Sequence, residues 1–136
     1  MGFELRDHTA DIAVSATGES LEDVFSAVAD GLTAAHLEDA PDPTVQFSIA
    51  VRAESRESLL FDFLDELIFQ RDVRNVLPAD HDVDIQRDGL QWTLECTAGG
   101  IPLEDIAARE IKAVTYSEMS LEETNGGWEA YVVFDV

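Results

Sequence analysis

Lysine is nearly missing from this sequence. Of 136 residues only Lys112 is a lysine, and seven arginines supply the remaining basic charge. Against them stand 29 aspartates and glutamates, for a formal net charge of −21. Such a surface repels phosphate backbones, so direct, non-specific nucleic-acid binding is not expected. Cysteine is almost as scarce. Cys96 is alone, which rules out an internal disulfide and fits a reducing, cytoplasmic setting. No apolar run approaches the eighteen or so residues of a membrane span, and "MGFELRDH" shows no basic stretch leading into an apolar one, so neither a span nor a signal peptide is expected. "TAGGIP" lacks the Lys-Ser/Thr end of a phosphate loop and the spacing of a dinucleotide fingerprint. Neither a nucleophile elbow nor a Cys/His set with zinc spacing occurs.

What is present folds. Hydrophobic residues make up 46% of the chain, so the acid does not imply disorder. The carboxylates are spread along the whole length. A pervasive acidic surface almost without lysine is the pattern of a halophilic protein, in which salt shortens the reach of self-repulsion to about 3 Å at 1 M.

Periodicity predicts the elements. Phe3 and Leu5 alternate with polar residues as a short strand, and Ile12, Val14 and Ala16 alternate as a second. Ser20, with Asp23 three residues on, opens a helix whose apolar positions are Leu21, Val24, Phe25, Val28 and Leu32. Val45, Phe47, Ile49 and Val51 form a third strand. A second helix starts near Ser55 or Ser58, with the wide stripe Leu59, Leu60, Phe63, Leu64, Leu67, Ile68 facing a core and Asp62, Asp65 and Glu66 on its other side. Val83 and Ile85 lead into the Asp88-Gly89 turn and then Leu90, Trp92, Leu94 and Cys96. "AGGIPLEDIAARE" reads as a loop, "IKAVTYSEMSLEE" as a long strand, and Asn125-Gly126-Gly127 as a turn into a final strand from Trp128 to the end. The expectation is one α+β domain over residues 1–136, element order ββαβαββββ, with two helices packed on mixed or antiparallel sheets.

Chemistry-bearing residues are few. His36 and His81 fall at a helix end and in a loop, where solvated or capping roles are expected. Cys96 reads as a small buried hydrophobe. His8, Asp7 and Asp11 crowd the turn before the second strand, and Asp135 with the Val136 carboxylate closes the last one. If these strands run antiparallel, Asp11, Asp135 and Val136 meet at one sheet edge. Carboxylates gathered there repel unless protonated or holding a hard cation, and an all-oxygen set suits calcium or magnesium. In a protein with 29 acids the rival reading is that these are unrelated solvated carboxylates.

Four segments add a resemblance. "HTADIAV" at residues 8–14, "LLFDFLDELIF" at 59–69, "IKAVTYSEMSLEE" at 111–123 and the ending "WEAYVVFDV" resemble, in order and across nearly the whole chain, signatures of the archease family. The resemblance implies a non-catalytic accessory protein that activates the RtcB-type tRNA-splicing RNA ligase. Such a protein promotes guanylylation of the ligase's own histidine and multiple turnover. It implies a divalent cation, calcium or else magnesium, on Asp11, Asp135 and Val136, with His8 and Thr9 bracing the turn. Lys112 matches the family's lysine, and Lys112, Asp65 and Glu66 are the candidate partner or phosphate contacts. Ser117 stands where many members have His, so the resemblance does not carry a metal or catalytic role over to that position. An alternative for the family is a chaperone or specificity modulator of an RNA cytosine methyltransferase.

Overall fold

The computed structural model describes residues 2–8 and 11–136, and of residues 6–8 the backbone only. Strands β1 (Gly2–His8) and β2 (Asp11–Gly18) precede helix α1 (Leu21–His36). Strand β3 (Val45–Ala53) leads to α2 (Arg56–Arg74). Then follow β4 (Val76–Asp88), β5 (Gln91–Pro102), a short 3₁₀ turn (Leu103–Asp105), β6 (Ala113–Thr124) and β7 (Gly127–Asp135). This is the expected ββαβαββββ order.

The helix starts are local chemistry. Ser20 Oγ accepts the Asp23 N–H at 3.1 Å, and Ser55 Oγ accepts the Ser58 N–H at 3.1 Å, so each serine satisfies a donor the helix leaves free. Helix α2 stops at Asn75, whose left-handed backbone (φ 55°, ψ 42°) breaks the repeat. Arg71 and Arg74 sit in its last turn, where positive charge offsets the carbonyl end.

Both sheets are antiparallel. One has the order β1-β2-β7-β6, the other β3-β5-β4. Each helix touches strands of both sheets, and Phe25 of α1 stacks on Phe63 of α2 with ring centroids 6.2 Å apart. Phe25, Phe63, Leu59, Leu60, Leu64 and Phe134 are fully buried in one continuous core. The predicted stripe of α2 is therefore the buried one.

Three stretches depart from the sequence expectation. Asp7, His8 and Asp11, expected in a turn, are strand residues, because β1 runs on to His8 and β2 starts at Asp11. Strand β4 begins at Val76, well before Val83, and passes an irregularity between Ala79 and Asp82, where Asp80 takes φ 54°. That kink interrupts the alternation that signals a strand. Strand β5 runs on through "AGGIP". These glycines are strand residues in tight quarters: a Cβ on Gly99 would lie 2.5 Å from the Pro43 ring, and one on Gly100 2.8 Å from Val45 Cγ2. Glycine there serves close packing, although in sequence it reads as a loop.

Candidate carboxylate site at a sheet edge

Strands β2 and β7 pair antiparallel with Asp11 directly opposite Asp135 and Ile12 opposite Phe134. Opposed residues share a face, with Cβ atoms about 4.5–5.5 Å apart, and neighbours along a strand alternate faces. Ile12 and Phe134 belong to the core, so the two aspartates stand on the opposite face. Asp11 is half-buried and Asp135 exposed, with Val136 exposed beyond it. Like charges directly opposite each other destabilise a strand pair. A hard cation between them reverses the sign of that term, so the donor chemistry fits a divalent ion bound by oxygen.

The row continues sideways. The backbone of His8 pairs with Asp11, and Ala113 of β6 pairs with Asp135. The Lys112 N–H donates to the Asp135 carbonyl at 2.8 Å, which puts the exposed Lys112 beside the aspartate pair. Thr9 lies outside the described residues, as does the side chain of His8. Asp65 and Glu66 are not part of this row; they lie on α2, Asp65 exposed and Glu66 accepting a hydrogen bond from Gln70 Nε2 at 2.8 Å. Among the described residues no three His, Cys, Asp or Glu side chains are grouped to hold a metal. The structure thus brings together the two expected side-chain donors, Asp11 and Asp135, with Val136 next in the chain.

Several concavities among the described residues lie elsewhere, and two of them flank the sheets. An open groove of about 550 Å³ between Leu5, Ile12, the end of α1 and Arg109 is on the helix side of the sheet, away from the aspartates. A trough of about 430 Å³ crosses the outer face of the three-stranded sheet, where Asp84 faces Glu95 and Asp82 lies alongside.

Sequence reasoning missed a buried polar relay. His36, expected solvated or capping, is 4% exposed. Its Nδ1 lies 2.9 Å from the Leu32 carbonyl, and its Nε2 lies 2.9 Å from Arg71 Nη1. Arg71 Nη1 also donates to the Ile111 carbonyl at 2.7 Å, and Arg71 pairs with Asp72 at 2.9 Å. The guanidinium is donor-only, so His36 Nε2 accepts and Nδ1–H donates to Leu32: a neutral ring. Burial pushes the His36 pKa down from 6.5 to about 4; the Leu32 bond opposes this and the Arg71 charge reinforces it. The relay ties the ends of α1 and α2 to Ile111, the residue before Lys112. The signal was available, since Arg71 follows Leu67 by four on the apolar stripe and His36 follows Leu32 by four. His81 is likewise not a loop residue. It lies in β4, its side chain is 1% exposed, and its Nδ1 is 3.1 Å from Asp30 Oδ1.

Two helices against two antiparallel sheets define an α+β fold, and the comparisons give it a family. The archease protein family model matches residues 3–136. "Protein archease" of Pyrococcus furiosus is 33% identical over 139 residues, 98% of each chain. That of Methanothermobacter thermautotrophicus is 35% identical over 143 residues, 99% of each. The solution structure of Methanobacterium thermoautotrophicum protein 1598 superposes with a TM-score of 0.88 at 32% identity, covering 99% of both chains. A crystal structure from Thermotoga maritima, described as an archease and possible chaperone, shares the fold at a TM-score of 0.62 and 23% identity, covering 98% of this chain and 96% of the other. The chain belongs to the archease family.

Proposed function

We propose that this protein is a non-catalytic accessory factor of RNA ligation. It assists an RtcB-type tRNA-splicing ligase by promoting guanylylation of the ligase and its repeated turnover. The observation that carries this reading is the in-register Asp11–Asp135 pair beside Lys112 in a chain of the archease family. Asp11, Asp135 and the Val136 carboxyl group are the proposed donors for a divalent cation, calcium in preference to magnesium. When bound, the cation would supply a positive charge next to phosphate oxygens, the kind of charge nucleotidyl transfer needs. Lys112 adds a compact ammonium at the same edge. An accessory protein acts by favouring one state of its partner over another, so its own edge need not contain a nucleophile or base.

The test is a multiple-turnover ligation assay with the purified ligase of the same genome, with and without this protein. The expected result is that ligation passes one turnover per ligase only when the protein is added. Equal turnover in both arms, with the protein co-purifying with an RNA cytosine methyltransferase instead, would replace this reading by the chaperone one.

A further inference from the structure

Helix α2 leaves an apolar stripe uncovered. Phe69 and Val73, one turn apart on its outward side, are 56% and 59% exposed. More than two turns earlier on the same helix, Phe61 carries Tyr116 of β6 flat against it, with ring centroids 4.0 Å apart and planes 4° from parallel. Seven large hydrophobics are exposed among the described residues, and Phe69 and Val73 are neighbours on one helix face. A patch, not scatter, marks an interaction surface.

The patch sits in acid. Phe69 has Asp65 four residues before it, Glu66 three before and Asp72 three after, which are the positions that surround a side chain on a helix surface. Asp62 completes the edge; partial burial and then the nearby Asp65 charge hold its carboxyl above the usual range. This surrounding decides the occupant. A second copy would bring another −21 charge and set these carboxylates against their own kind, and a phosphate backbone meets the same repulsion. A cationic, apolar-tipped protein segment is complementary on both counts, because arginine can pair with a carboxylate and stack on an aromatic face at once. The inner side of the same helix end is tied towards the carboxylate pair. Arg71 of α2 holds the Ile111 carbonyl, and Lys112 holds the Asp135 carbonyl, so residues 111–112 bridge the two.

We infer that this outward face of α2 docks a basic segment of the RNA ligase, with an apolar side chain on Phe69 and Val73 and its cations against Asp65 and Glu66. The inference rests on the ligase reading above and adds the surface by which the ligase is held.

The experiment titrates purified ligase with the parent protein, Phe69→Ser/Val73→Ser and Asp65→Lys/Glu66→Lys, by calorimetry and by turnover. All four positions are exposed or at the rim, and circular dichroism and melting verify that each variant folds. Both variants are expected to bind at least tenfold more weakly than the parent. Turnover with Phe69→Ser/Val73→Ser should recover at saturating concentration, since docking is lost and not the edge chemistry; Asp11→Asn, as the contrast, should stay low at saturation. If the parent itself does not bind the ligase, the functional reading falls and this inference with it. If the parent binds and both variants match it, only the inference falls. Weakening in the serine variant alone would overturn the basic character of the occupant, and weakening in the lysine variant alone its apolar anchor.

Discussion

Asp11 and Asp135 face each other in register across the two central strands of the four-stranded sheet. Left bare, the pair costs stability through its like charges; bridged by a cation, it becomes a crosslink between β2 and β7. Calcium should therefore raise the melting midpoint of the parent and leave Asp11→Asn unmoved. Calorimetry should show weaker calcium binding in Asp11→Asn, and in a protein extended past Val136, where a neutral amide replaces the carboxyl group. Parent-like calcium affinity in the extended protein would remove Val136 from the donor set.

The buried relay makes stability depend on pH. The folded His36 titrates at about 4 and an unfolded one near 6.5. Between those values the unfolded chain takes up a proton that the folded one refuses. The relay's contribution is thus complete above pH 6.5 and is lost as pH falls towards 4, a change on the order of 3 kcal/mol. Carboxylates titrate in the same window, so the measurement is a difference. Urea midpoints of the parent and of His36→Gln, which keeps one donor and one acceptor, should converge as pH falls from 7 to 4. Parallel profiles would mean that the ring charges without cost.

Leu64 is fully buried while Phe69, five residues on, is exposed. Leu64→Ala should cost about 2–5 kcal/mol, the transfer loss plus the cavity left behind. Phe69→Ala should stay within about 0.5 kcal/mol, as surface substitutions do. Denaturant unfolding of the two variants checks which side of α2 carries the fold. A comparable loss in both would place Phe69 in a packed contact.

Charge should be visible in the melt. A formal −21 on 136 residues repels itself across a range of about 10 Å at 0.1 M salt and about 3 Å at 1 M. The midpoint is expected to climb steeply between those concentrations of potassium chloride. A flat profile would argue against a salt-adapted surface.

How legible all this was depends on what each element asks of its side chains. Helices α1 and α2 were readable because a half-buried helix needs apolar residues at fixed spacing and a capping oxygen at its start, and Ser20 and Ser55 supply the caps. The order of the seven strands was readable from alternation. The first half of β4 was not, because the kink at Asp80 breaks the period, and the end of β5 was not, because Gly99 and Gly100 yield to Pro43 and Val45. At the candidate site, the sequence placed Asp11 and Asp135 on strands but could say that they meet only by assuming antiparallel neighbours, which the β2–β7 register bears out. His36 and Arg71 were hidden for the opposite reason. Their places four residues after Leu32 and Leu67 hinted at burial, but polar residues are assumed exposed, and the partner that makes burial tolerable lies 35 positions away in the chain.

Strand β7 comes last in chain order and sits between β2 and β6. During synthesis, β1 and β2 must therefore wait, with the inner side of β2 unpaired, until residues 127–135 clear the ribosome. For that interval this strand edge stands open to wrong partners, and a β-rich chain is then most at risk of aggregation. The aspartate pair cannot exist before β7 pairs with β2, since Asp135 arrives on the closing strand. A nascent chain can thus acquire its candidate cation site only as its fold is completed, and any cation bound there would act as a latch on the finished sheet.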